Sequence, residues 1–94
     1  MAKTVRVENG QIKEFENGSY RRSYGSNIVQ AAISGDLVAA VTSSGQIQEY
    51  HNGSYRRSYG SNIVSVQVSG NTVAAQNKSG RTEEYENGSY RRSY

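Results

Sequence analysis

Ninety-four residues make at most one small domain, and with 34% hydrophobic residues, one Phe, one Met and no Trp an isolated core is lean. The chain has no Cys, which excludes a disulfide framework or a thiolate metal site as the staple of a small fold, and no Pro, which suits continuous strand ladders. A net charge of +3 is too mild for a strong phosphate-tracking surface, and the periodic pattern argues against disorder.

The first residues (Met1, Ala2, Lys3, Thr4) lack the apolar run of a signal peptide, and no segment approaches membrane-spanning length. The expectation is therefore no membrane and a cytoplasmic location. Thr4-Val5-Arg6-Val7 reads as a strand that stands where Thr72-Val73-Ala74-Ala75 stands later, followed by a short turn at Glu8-Asn9-Gly10. Strands are expected over Ile12 to Glu16, Leu37 to Thr42, Ile47 to His51, Thr72 to about Asn77 and Thr82 to Glu86. Asn62 to Val68 alternates with period two, which places Val64, Val66 and Val68 on one face. Gly35-Asp36 and Gly70-Asn71 are two-residue hairpin dipeptides, while Ser43-Ser44-Gly45 and Lys78-Ser79-Gly80 are Gly-ended loops of the three-residue kind.

The octapeptide Asn-Gly-Ser-Tyr-Arg-Arg-Ser-Tyr occurs three times without change, at Asn17–Tyr24, Asn52–Tyr59 and Asn87–Tyr94, with a spacing of 35 residues. A period in this range marks a repeat architecture. Asn-Gly is the strongest short hairpin signal, because both residues tolerate the positive φ of a type I′ turn. Strands follow it, as at Ser89 to Tyr94. No segment shows a 3.6-residue period, and the reading is all-β. The chain divides into a partial unit of three strands over 1–24 and units of four strands over 25–59 and 60–94.

Four-stranded antiparallel units repeated head to tail are the grammar of β-propeller blades. The succession here is an apolar strand ending in Ser-Gly-Asn/Asp, a Thr/Leu-Val-Ala-Ala strand, a Gly turn, a polar-aromatic strand, Asn-Gly and an outer strand. It resembles the blades of NHL-type and related propellers, and near-identical copies equally suit an engineered or recently duplicated fragment. The resemblance implies a fold and no substrate. A ring needs at least four blades and this chain supplies just under three, so identical arcs are expected to associate. Two copies give about six blades and a homodimer; a trimer is the alternative.

With Asn-Gly as a two-residue loop, simple counting sets Phe15 opposite Tyr20, and likewise Tyr50 opposite Tyr55 and Tyr85 opposite Tyr90. The same counting pairs Glu14 with Arg21, Glu49 with Arg56 and Glu84 with Arg91 as structural ion pairs. The second arginines, Arg22, Arg57 and Arg92, then oppose Lys13, Gln48 and Glu83, which share no charge. Each would lie on the face of its flanking tyrosines (Tyr20 and Tyr24, Tyr55 and Tyr59, Tyr90 and Tyr94). These nine residues are the candidate ligand-binding positions, since Arg between aromatic rings suits phosphate, carboxylate or stacked bases. Packing between blades is the competing account.

His51 is the single histidine and replaces Glu16 and Glu86, so it reads as a solvated strand residue. No Ser–His–acid set recurs, Asp36 is a turn residue, and no phosphate loop or metal-ligand spacing occurs. The function expected is a non-catalytic, self-assembling scaffold or interaction module without a cofactor. The alternative is a propeller that binds nucleic acid or an anionic glycan through the Arg/Tyr sites.

Overall fold

The structure is a computed structural model and describes residues 3–94. Eleven strands are found there, in three antiparallel sheets. The first sheet is β1 (Lys3–Glu8), β2 (Gln11–Glu16) and β3 (Ser19–Tyr24). The second runs β4 (Ile28–Ser34), β5 (Leu37–Thr42), β6 (Ile47–His51), β7 (Ser54–Tyr59). The third runs β8 (Ile63–Ser69), β9 (Thr72–Asn77), β10 (Thr82–Glu86), β11 (Ser89–Ser93). Strands adjacent in sequence are adjacent in each sheet, so every ladder is closed by a local turn. No helix among the described residues is long and apolar enough to cross a membrane.

The turns follow from residue chemistry. Asn17, Asn52 and Asn87 have φ of 52–53° and the glycines after them 80–83°, two successive positive values that only the type I′ turn uses. Asn9-Gly10 repeats this with 54° and 76°, which explains why the β1–β2 connection is shorter than its later counterparts. The short connection also moves the register: Thr4 faces Phe15 as Val73 faces Tyr85, so Lys3, and not Thr4, stands where Thr72 does.

Two apolar cores lie between the sheets. Ile12 of the first sheet meets Ile28, Val38, Ala40 and Tyr50 of the second. Ala39, Val41 and Ile47 of the second meet Ile63, Val66, Val73, Ala75 and Tyr85 of the third. Strand β5 serves both, which is why Leu37-Val-Ala-Ala-Val41 is continuously apolar: its faces are both covered. Val64 was expected beside Val66 and Val68, but a β-bulge between Ile63 and Ser65 turns it outward to 45% exposure while Ile63 and Val66 stay buried. Val29 is displaced in the same way in the second sheet.

Backbone bonds repeat across the junctions. Ile28 N–H donates to the Gly10 carbonyl at 3.0 Å, and Ile63 N–H to the Gly45 carbonyl at 2.9 Å. Gln30 adds a clamp between the second and third sheets, accepting from Val66 N–H at 2.7 Å and donating to its carbonyl at 3.3 Å.

Candidate functional site: a Glu–Arg–Tyr cluster on each sheet

The octapeptide places its side chains differently from simple counting. Phe15 faces Tyr20 as expected, but the register slips between Phe15 and Glu14, so that Glu14 faces Arg22 and Ile12 faces Tyr24. The same slip sets Glu49 against Arg57 and Glu84 against Arg92. The residue left over in each outer strand is the first arginine: Arg21, Arg56 or Arg91. It is the extra residue of a β-bulge.

The ion pairs expected from counting, Glu14–Arg21, Glu49–Arg56 and Glu84–Arg91, are therefore corrected to Glu14–Arg22, Glu49–Arg57 and Glu84–Arg92. The physical reason is parity. One inserted residue moves everything after it to the other side of the strand. Tyr20 thus stays with Phe15 (ring centroids 5.9 Å apart, edge-on), while Arg22 and Tyr24 share the face of Glu14 instead of Tyr20's. The first arginines find the next acid along: Arg21 pairs with Glu16 and Arg91 with Glu86. In the middle copy His51 occupies that place, and no ion pair to Arg56 occurs among the described residues.

Each cluster loads both oxygens of one carboxylate. Glu14 accepts from Arg22 Nη1 at 3.0 Å on Oε2 and from Tyr24 Oη at 2.9 Å on Oε1. Glu49 accepts from Arg57 Nη1 at 2.6 Å on Oε1 and from Tyr59 Oη on Oε2. Glu84 accepts from Arg92 Nη1 on Oε1 and from Tyr94 Oη at 2.5 Å on Oε2. Glu14 and Glu49 are 1% exposed. A charge so buried needs partners of this quality. Among the described residues no buried side-chain nitrogen or oxygen lacks one.

The following sheet does the burying. Tyr24 packs on Tyr50 with centroids 4.9 Å apart, and Tyr59 on Tyr85 at 4.7 Å. The aliphatic stem of Arg22 runs across Gly53, where an added Cβ would sit 2.6 Å from Arg22 Cδ. Arg57 crosses Gly88 in the same way, at 2.5 Å. Glycine at these turns thus answers two demands, the positive φ and the stem lying on it. The third cluster lacks this cover: the Arg92 side chain is 60% exposed, against 32% and 34% for Arg22 and Arg57.

Of the nine candidate binding residues, six are therefore committed to carboxylates. Tyr20, Tyr55 and Tyr90 remain outward at 56–57% exposure. The buried acids were the feature that counting missed, although Ile12 and Glu14, like Ile47 and Glu49, lie on one strand face. An acid in line with a core isoleucine is the available signal. His51 is exposed, and no group of three His, Asp or Glu residues suited to a metal ion occurs among the described residues.

Burial first, and then the hydrogen bond to Glu14 or Glu49, raises the phenol pKa of Tyr24 and Tyr59 far above its ordinary value. Burial and the bond to Glu83 push Tyr85 up to about 12. A folded-state pKa above the unfolded one contributes stability in full below pH 10 and loses it as the pH climbs toward the folded value. Urea midpoints are accordingly expected to hold level up to about pH 9.5 and fall above 10. Tyr59→Phe should flatten that alkaline fall; an unchanged slope in the variant would show that Tyr59 is not its source.

A family model described as Helicobacter pylori IceA2 protein matches residues 1–47 and, again, 43–94. No curated protein matches the chain. Among solved structures, the crystal structure of BamB from Moraxella catarrhalis superimposes with a TM-score of 0.76 at 19% sequence identity, covering 97% of this chain and 32% of that one. This chain thus spans about a third of BamB, a β-propeller protein. The likeness establishes a propeller-like, all-β fold. It does not show an NHL-type affiliation.

Proposed function

The chain belongs to the IceA2 family, and we propose that it is a non-catalytic interaction or scaffold module, a propeller-like arc whose repeated motif joins sheet to sheet. One observation carries this reading: the carboxylates of Glu14 and Glu49 each take an arginine and a tyrosine of the motif and are sealed by the next sheet. Groups used in this way are withdrawn from ligands.

A second reading, recognition of nucleic acid or an anionic glycan, draws support from the exposed Tyr20, Tyr55 and Tyr90 and from Arg56, for which no acidic partner occurs among the described residues. Titration with single-stranded DNA and with heparin, at low and at physiological salt, separates the two. The scaffold reading expects no saturable binding at physiological salt, and the same result for a variant with Tyr20, Tyr55 and Tyr90 changed to Ala. Saturable binding that this triple variant abolishes while remaining folded would replace the scaffold with a ligand-binding module.

A further inference from the structure

We propose that the outer face of the third sheet docks on the first sheet of a second copy of this chain, head to tail, with Arg92 lying over the partner copy's Gly18 turn and Tyr94 against its Phe15. The proposal rests on the scaffold reading and says how copies join.

The chain makes this contact twice within itself. Arg22 crosses Gly53 and Tyr24 packs on Tyr50; Arg57 crosses Gly88 and Tyr59 packs on Tyr85. Both halves of a third contact are present without a neighbouring sheet, the Arg6 guanidinium lying 5.0 Å from the Phe15 ring centroid where a tyrosine lies at the internal junctions. Arg92 and Tyr94 are held by Glu84 in the arrangement of the other two clusters, yet Arg92 is 60% and Tyr94 62% exposed. At the other end, Gly18 has nothing within 4 Å of where a Cβ would be, unlike Gly53 and Gly88. Phe15, which holds the position of the buried Tyr50 and Tyr85, is only partly covered.

The inner layers of the two end faces differ from the interior in a matched way. On the third sheet Gln67, Gln76 and Thr82 replace Ala32, Val41 and Ile47, and they line a shallow polar depression with Ser65 and Ala74. On the first sheet Thr4 and Arg6 stand where Val38 and Ala40 stand in the second. Repetition of the internal geometry brings Arg6 toward Thr82 and Gln76, polar against polar. Such a face stays soluble when open and mates through hydrogen bonds when closed. One element of the internal junction has no counterpart here: no strand equivalent to β4 occurs in the first sheet among the described residues, so nothing matches the bond from Ile28 to Gly10. Two copies supply six sheets, within the four to eight of closed propellers.

Sedimentation at high micromolar concentration tests this. The chain is expected at twice 10.3 kDa, falling toward 10.3 kDa on dilution. Gly18→Asn keeps a residue that tolerates positive φ and meets nothing within its own chain, so it should leave the circular dichroism unchanged and return the mass to 10.3 kDa at all concentrations. Tyr94→Ala should do the same. A chain at 10.3 kDa throughout, or an oligomer that survives Gly18→Asn, overturns the contact. A monomer that binds no anion would sink this contact and leave the scaffold reading standing, whereas anion binding lost with Tyr20, Tyr55 and Tyr90 would sink that reading whatever the mass.

Discussion

Arg57→Ala is expected to lower the unfolding free energy by about 2–3 kcal/mol, below the full range for a buried pair because the Arg57 side chain is 34% exposed while Glu49 is buried. The loss arises because Glu49, 1% exposed, would be left with Tyr59 as its one remaining side-chain donor among the described residues. In the dissociated single chain, Arg92→Ala alters the same residue of an identical octapeptide and should cause no comparable loss, because its side chain is 60% exposed there and water can take its place. Urea unfolding followed by circular dichroism measures both. Equal losses at the two positions would show that the junction with the third sheet does not bury the middle cluster. For a chain of this size the larger figure is a sizeable share of total stability, so Arg57→Ala is expected to be partly unfolded on mild heating.

The second large effect belongs to Ile47. It is fully buried between the second and third sheets, against a surface that includes Ile63, Val66 and Val73. Thr82 occupies the same place on the third sheet, beside the polar depression. Ile47→Thr trades apolar volume for a hydroxyl and should cost about 2–4 kcal/mol through lost packing and an unsatisfied donor. Thr82→Ile, the reverse exchange at the open face, should leave the unfolding free energy of the single chain close to unchanged. Thermal melts of the two variants side by side decide the matter: a stable Ile47→Thr would mean that the inter-sheet core is looser than its burial indicates.

Much of the architecture was legible in the sequence because turn dipeptides are local. Asn17-Gly18 and Gly35-Asp36 demand particular φ values whatever surrounds them, and between such turns the chain has little choice but short strands. Parity is another matter. Whether Arg21 or Arg22 faces Glu14 depends on a bulge, and period-two counting has no means of registering an inserted residue. A cue was present all the same: two adjacent arginines oppose acids two residues apart, Glu14 and Glu16, which share a strand face. Both arginines reach that face only if one residue is extra. His51 hid the cue in the middle copy by removing the second acid. The seal over Glu14 and Glu49 was illegible for a different reason, since burial there comes from the neighbouring sheet and not from anything within the repeat.

The bulge also bears on what each sheet presents at its edge. Strands β3, β7 and β11 are all outermost in their sheets, and each carries an outward tyrosine. Straight, tyrosine-bearing edges of that kind are templates onto which further strands add without limit, the route to fibrils. At Arg21, Arg56 and Arg91 the ladder is interrupted at the middle of each edge and a cation projects beside the break. An incoming strand would meet a mismatched register at each edge, beside an ion pair at Arg21 and Arg91 and beside Arg56 in the middle copy. The arginine that simple counting paired with the wrong acid is thus the residue that breaks the ladder of each of these edge strands, one per repeat.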